Sequence, residues 1–512
     1  MASTNSYNSV EKWTLLATIL ASSLVFIDGS ALNVALPALQ EDLNITGTEL
    51  LWVVNGYALF LSALLLLGGS LGDIYGRNRI FLIGLALFSL SSLVCGISQS
   101  PLQLIIARCF QGVGGALLTP GSLSILSAQF GATKRGRAIG LWSTFGAMMG
   151  LIGPVLGGWL ANIGLWRVIF FLNVPLSLLV LYAVITKVPE TKNEAADTLD
   201  LWGAITVTLG LAGITFGFIE SPKYGFEHLI IITSLALGTI FIVLFLIIQK
   251  KSKHPMMPLT LFKSRVFSSA NLLTLFLYAT LGGVLFFAPL NFIQIQGYTE
   301  LQAGLSMLPV VILISTISPF MGKYVDLHGS RTPLIVGPMI VGCGFFFFSF
   351  AGITAGVQDY WTTYFPAFVL LGIGLGSTVA PLTTAVMGSV PEGSIGVASG
   401  INNAVARTAG VLAVALIGSF VLFSFKGYVY DQIKTMSFTP EVEQAVISAS
   451  SNLGAAVPPE FVSNDDKRAI TDLFHNSFVA SFDRAVYIGA IMAWISGLVA
   501  LIFIKRKDKN QS

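Results

Sequence analysis

Asp28 occupies the position in this chain that most demands chemistry. It stands in Phe26-Ile-Asp-Gly-Ser-Ala-Leu-Asn-Val-Ala-Leu-Pro37, the close of an apolar run that begins at Trp13. About 20 such residues cross a bilayer. A charged side chain at the centre of a membrane helix costs about 2.5–3.5 kcal/mol on insertion scales. The carboxyl therefore needs a partner, a proton or a water-filled cavity. It could simply hydrogen-bond a neighbouring helix; the favoured reading is a group that binds and releases a proton or a cation. Asp28 lies nine residues before Pro37, about 13 Å at 1.5 Å per residue. Asn55 and Arg108 fall at a similar depth in their own apolar segments, so a buried carboxylate–guanidinium interaction is expected there.

Two other features carry possible function. Gly146-Ala-Met-Met-Gly150-Leu-Ile-Gly153-Pro154-Val-Leu-Gly157-Gly158 repeats small residues at helical spacing around a proline. Small residues let helix backbones approach closely and proline permits a bend, so this helix can hinge or seal. Arg407 lies inside the apolar stretch 396–424 with no buried acid in its own half. It could cap backbone carbonyls, reach toward Asp28, or bind an anionic substrate.

The composition fixes the surroundings of these residues. Of 512 residues 54% are hydrophobic and only 10% charged, with mean hydropathy +0.80. Soluble proteins carry charge at about 25% of positions, so this is an all-α polytopic membrane protein. Cys95, Cys109 and Cys343 lie in apolar segments without disulfide or metal spacing, and read as packing residues. His228, His254, His328 and His475 show no paired ligand spacing, so neither a metal nor an embedded enzyme is expected. Scattered basic residues give no support for nucleic-acid binding. No ATP-binding P-loop appears, which leaves an ion gradient as the drive and no cofactor. The run from Trp13 to Pro37 is too long for a secretory core and predicts an uncleaved first helix.

Apolar segments recur at roughly 14–36, 49–70, 80–98, 102–126, 138–161, 167–186, 201–219, 228–248, 267–290, 303–325, 332–351, 361–388, 396–424 and 484–504, fourteen in all. Their connections alternate in charge. One set carries Arg77 and Arg79, Lys134 to Arg137, Lys187 and Lys192, Lys250 to Arg265, Lys323 and Arg331, and Lys505 to Lys507; the other holds Glu41, Asp42, Glu49, Glu300 and Asp359. The positive-inside rule places the first set, and both termini, in the cytoplasm. Residues 1–13 form a cytoplasmic N-terminus, 14–186 a six-helix bundle, 187–266 two linker helices with their loops, 267–504 a second six-helix bundle, and 505–512 a cytoplasmic tail. Within the second bundle, 425–482 reads as an extracytoplasmic loop with short surface helices starting at Thr439 and Ser463. Gly69, Asp73 and Gly76 recur at one common offset as Gly322, Asp326 and Gly329, and Gly157 maps to Gly410. Repeated halves with a binding site at their interface mark secondary transporters.

The motifs then resemble a known family. Gly69-Ser-Leu-Gly-Asp73-Ile-Tyr-Gly76-Arg77-Asn-Arg79 resembles motif A of the major facilitator superfamily; Arg108-Cys-Phe-Gln111-Gly112-Val-Gly114 resembles motif B; Gly150 to Gly158 resembles motif C, its antiporter signature. Asp28 to Pro37, with Asn33, resembles the first-helix motif of the fourteen-helix drug:proton antiporter branch (the EmrB and QacA type). Trp166-Arg167 to Pro175 and Gly396 to Arg407, with Asn402 and Asn403, are similar to that branch as well. The resemblance implies a major facilitator fold of two six-helix bundles plus two extra helices. It implies a rocker-switch exporter in a bacterial plasma or inner membrane, trading hydrophobic, cationic or neutral drugs for entering protons; the alternative is export of an endogenous metabolite, lipid or anionic compound by the same fold, with Arg407 meeting the anion. Asp28 would be the proton site with Arg108 assisting and Asn33 and Asn55 nearby. Gly69, Asp73, Gly76, Arg77, Arg79 and Asp326 would gate, with the helix start near Pro391–Ser394 facing Asp73. Gly150, Gly153, Pro154, Gly157 and Gly158 would form the antiporter hinge; Arg407, Asn402 and Asn403 would bind substrate or brace the helix. Partners would be the lipid bilayer, small hydrophobic substrates and protons, with a periplasmic adaptor protein a further candidate. Phe286, Phe287, Tyr278 and Trp142 are candidate lining residues. Asn78 interrupts the basic run of motif A, and Ser330 replaces Arg77 in the repeat. Asn55 stands where some relatives carry a second acid, which puts dicationic substrates in doubt.

Overall fold

The computed structural model describes residues 7–192, 198–391, 394–436 and 438–504. The expected tail at 505–512, with Lys505, Arg506 and Lys507, lies outside the described residues, as do the first six residues of the expected N-terminus. Long helices account for nearly all of the chain, and no strand occurs among the described residues. In chain order they are α1 (Ser9–Leu43), α2 (Gly47–Tyr75), α3 (Arg77–Ile97), α4 (Pro101–Gln129), α5 (Ala132–Asn162), α6 (Val168–Lys187), α7 (Leu201–Tyr224), α8 (Leu229–Lys251), α9 (Arg265–Ile295), α10 (Glu300–His328), α11 (Arg331–Phe348), α12 (Tyr364–Gly388), α13 (Ile395–Ile433) and α14 (Asn464–Phe503). Thirteen are long and apolar enough to cross a membrane. The fourteenth expected segment, 138–161, falls within α5, a helix of 31 residues.

Local chemistry sets the ends. Asn8 with Glu11, and Thr46 with Glu49, form reciprocal capping boxes that start α1 and α2, satisfying amides that a helix start leaves unpaired. Gly76 separates α2 from α3 at φ +109°, a backbone that disfavours any side chain. Gly329 repeats the device between α10 and α11 at φ +81°.

The segment 425–482 differs from its expected form. α13 continues to Ile433 and α14 begins at Asn464, so much of this stretch is helix running on from the spans. The connection between them holds the expected helix capped by Thr439, Pro440–Ala449, and a tight turn at Ser450–Ala455. Ser463 caps a helix as expected, but that helix is α14 itself, 40 residues long. Polar side chains on one face of these extensions lowered the hydropathy without stopping the helix.

The internal repeat is a packing repeat. In the first half α2 and α3 pack on α4, and α1 packs on α5 and α6. In the second half α10 and α11 pack on α12, and α9 packs on α13 and α14 in the same scheme. The linker helix α7 lies against both α2 and α13. Trp52 Nε1 donates to Glu220 at 2.8 Å, and Ser221 and Ser419 hydroxyls meet at 2.9 Å. The linker therefore touches both halves along one seam.

Candidate proton-coupling and substrate site

Asp28 projects from the middle of α1 and is wholly buried, as are Arg108 of α4 at 1% exposure and Gln111 one turn further on. Arg108 Nη1 meets Asp28 Oδ2 at 2.5 Å. The other carboxylate oxygen accepts from Gln111 Nε2 at 2.8 Å and from Asn173 Nδ2 at 3.3 Å. Asn173 sits in α6 where its two helical pieces, Val168–Phe171 and Asn173–Lys187, meet at Leu172. Ser92 of α3 accepts from Asn173 at 2.8 Å and from Gln111 at 3.3 Å. Arg108 also donates to Gln111 Oε1 at 2.7 Å and through Nε to the Val53 carbonyl at 3.2 Å, and its guanidinium lies 4.2 Å from the Tyr57 ring centre. α1, α2, α3, α4 and α6 thus converge on the Asp28–Arg108 pair and the side chains that hold it. A buried charge is tolerated only when it is paired and hydrogen-bonded, and Asp28 is both.

The expected Asp28–Arg108 pair forms. Asn55 reaches the same neighbourhood but bonds to neither: it is fully buried, and both ends of its amide lack a partner among the described residues. It lines a cavity of about 210 Å³ with Gly29, Asn33, Tyr57, Arg108 and Arg407. Because α9 and α13 contribute Phe286 and Gly410 to the wall, the cavity lies between the two halves. Arg407 is half-buried there, and among the described residues it makes no hydrogen bond or ion pair. Of the expected lining aromatics, Phe286 is present. Phe287 and Tyr278 pack in the core, and Trp142 donates to Ser22 at 2.9 Å. Asn402 is committed to α9, donating to Thr274 at 2.8 Å and Asn271 at 3.1 Å, while Asn403 bonds its own helix at Ser399.

The glycine helix is a wedge. Beta carbons at Gly153 and Gly157 would strike Ser30 and the Ala31 carbonyl of α1, and one at Gly158 would strike the Glu300 carbonyl at the start of α10. On the other side Gly304 lies as close to the Pro154 carbonyl. α5 therefore joins the halves at the end opposite motif A, while Gly150 faces open space. At that same end Gln40 accepts from Gln294 at 2.9 Å and donates to the Asn452 carbonyl at 3.0 Å.

Motif A turns between α2 and α3. Asp73 pairs with Arg77 of its own turn at 2.8 Å, and Arg79 is exposed. The helix start proposed to face Asp73 includes residues 392 and 393, which lie outside the described residues. Gly69 touches Pro120 of α4, whereas Gly322 and Asp326 of the repeat face outward. Sequence reasoning missed Glu190, whose carboxylate accepts from the backbone amides of Asn78 at 2.8 Å and Arg79 at 3.0 Å. Asn78, the departure from the basic run, donates to the Val188 carbonyl at 2.9 Å. Gln111, Asn173 and Ser92 were missed as a group. The signal for Gln111 was its place three residues after Arg108 and for Asn173 its place in the stretch ending at Pro175, without anything to say which way they turn; Ser92 carried no signal.

The Major Facilitator Superfamily profile matches residues 18–415. The chain belongs to this superfamily. It is 32% identical over 487 residues to the multidrug resistance protein Stp of Mycobacterium tuberculosis, covering 91% of this chain and 87% of that one. It is 28% identical to the tetracenomycin C resistance and export protein of Streptomyces glaucescens, over 97% and 92% of the two chains. Among solved structures, a bacterial homologue of the human lysosomal transporter Spinster superposes with TM-score 0.67 at 16% identity, over 98% of this chain and all of the other. Two six-helix bundles with two additional helices are thus the major facilitator fold, and the chain is a multi-pass membrane protein of a bacterial transporter family. No group of three metal-ligating side chains occurs among the described residues.

Proposed function

We propose that this protein is a proton-driven exporter of hydrophobic toxic compounds, with both termini in the cytoplasm and Asp28 as the proton-carrying group. The observation that carries the reading is the Asp28–Arg108 pair, buried beside a cavity between the halves. Named relatives confer multidrug, tetracenomycin and puromycin resistance, which favours drugs over nutrients as cargo. A proton reaching Asp28 removes the charge that Arg108 faces and leaves that cation buried among Gln111, the Val53 carbonyl and the Tyr57 and Phe170 rings, none of them charged. An uncompensated buried charge is costly, so the arrangement favours a different packing of α1 against α4 once the proton is bound. Loss of the proton on the other side restores the pair. Motif A latches the cytoplasmic gate in the alternate state, and the glycine wedge of α5 seals the opposite end in this one. The small hydrophobic cargo reaches the cavity from the bilayer or the cytoplasm; a periplasmic adaptor is an optional extension of the path.

The test is a growth and dye-efflux panel comparing the parent with Asp28→Asn in cells. Efflux should fall to background while membrane insertion is retained. Undiminished pumping by the amide variant would remove Asp28 from the coupling step.

A further inference from the structure

The charge arrangement of the cavity narrows the cargo. Both carboxylate oxygens of Asp28 are already taken by Arg108, Gln111 and Asn173, and Asp28 is not part of the cavity wall. A cationic ligand would have to displace a guanidinium before it met a negative charge. Among the described residues, the wall itself carries two arginines and no Asp or Glu. Arg108 is committed to Asp28, but Arg407 has no hydrogen bond or ion pair among the described residues. Next to it lie polar groups whose capacity is unspent: the Asn55 amide and the Tyr57 hydroxyl are buried and unpartnered, and the Asn33 side chain borders the space. Leu32, Val54, Phe286 and Val414 make the remaining surface apolar. A guanidinium stays protonated under all ordinary conditions and presents donors in a planar fork that fits oxyanions.

We propose that Arg407, with Asn33 and Asn55, anchors the acidic group of an otherwise apolar cargo, so that hydrophobic organic anions bearing a carboxylate, sulfonate or ionised enol are the preferred ligands. The size agrees with an anchor: a water occupies about 30 Å³ in the liquid, so a cavity of about 210 Å³ holds the head of a drug-sized molecule. The inference rests on the export reading above and adds the chemistry of the cargo to it.

The experiment uses three probes with one ring and one chain length: 1-pyrenebutyrate, 1-pyrenebutanamide and 1-pyrenebutylammonium. Each is titrated by fluorescence into the full-length protein in nanodiscs, with empty nanodiscs subtracted. The butyrate should bind about tenfold tighter than the amide, the scale of a hydrogen bond to a charged group, and the ammonium should bind weakest. Arg407→Gln should bring butyrate and amide together, and Arg407→Lys should keep part of the preference. The proposal is overturned if the ammonium binds as tightly as the butyrate, if no probe binds, or if Arg407→Gln keeps the full preference. The comparison of probes on the parent protein stands even where a variant fails to fold. Failure of the export reading would appear separately, as dye efflux by cells carrying the parent protein no faster than by cells that lack it.

Discussion

Arg108 spends its donors on Asp28, Gln111 and the Val53 carbonyl, and this makes it a sharper probe of the site than Asp28 itself. Removing one partner of a buried ion pair costs about 3–5 kcal/mol because the other charge stays buried and unmet, whereas removing both is often close to neutral. Arg108→Leu should therefore destabilise the purified protein by about that much in thermal unfolding. The double variant Asp28→Asn with Arg108→Leu should recover most of the loss. Additive effects of the two substitutions would show that the pair is not energetically coupled. The sequence itself exposes Asp28 and Arg108, since each is an ionisable group in an apolar run. It could not give Gln111, Asn173 or Ser92. Neutral polar residues are ordinary in membrane helices, and only the rotation of α3, α4 and α6 about their axes turns these three toward one carboxylate. Arg407 was equally visible as a residue, but its lack of a hydrogen bond or ion pair among the described residues is a fact of packing.

Helix α5 and the turn after α2 show how elements, rather than single groups, hold the working geometry. Gly158 lies where a beta carbon would strike the Glu300 carbonyl, so Gly158→Ala forces α5 and α10 apart at the end opposite motif A. In a background without Cys95, Cys109 and Cys343, a cysteine at Ile45, 1% exposed at that end, should stay unlabelled by an impermeant maleimide. Adding Gly158→Ala should make it react. Protection that survives the substitution would mean that this contact does not close the protein. Glu190 caps the first amides of α3 from the far side of the first half. An N-cap is worth about 0.5–2 kcal/mol, so Glu190→Ala should lower the melting temperature modestly, and Glu190→Gln less, as the amide oxygen can still accept. Equal melting of all three proteins would leave the cap without energetic weight. Helix existence was legible from hydropathy alone, and the repeat from Gly69, Asp73 and Gly76 recurring at one offset as Gly322, Asp326 and Gly329; in the structure Gly76 and Gly329 both end their helices at positive φ. The outward runs of α13 and α14 were not legible, since a helix that leaves the bilayer loses its apolar signature while keeping its hydrogen bonds.

At the scale of the whole molecule the two halves are joined by side-chain hydrogen bonds at one end, where Gln40 meets Gln294 and the turn at Asn452, and by α7 along the seam. Leu453 in that turn is 1% exposed and left-handed at φ +56°, a conformation that costs a non-glycine residue about 1–3 kcal/mol. The cargo's charge decides how strongly rocking of the halves feels the membrane potential. If one proton enters for each organic anion that leaves, two charges move in the same electrical sense. If one proton enters for each organic cation, none moves. A potential of 100 mV is worth about 2.3 kcal/mol per charge, so the anion exchange gains about 4.6 kcal/mol, a little over three decades in the gradient it can sustain. Proteoliposomes with a fixed pH difference and a potassium diffusion potential set by valinomycin separate the cases. The gradient of 1-pyrenebutyrate should rise steeply with an inside-negative potential in the transporting direction, and Asp28→Asn should abolish the response. A gradient indifferent to potential would rule out anion-for-proton exchange at this cavity.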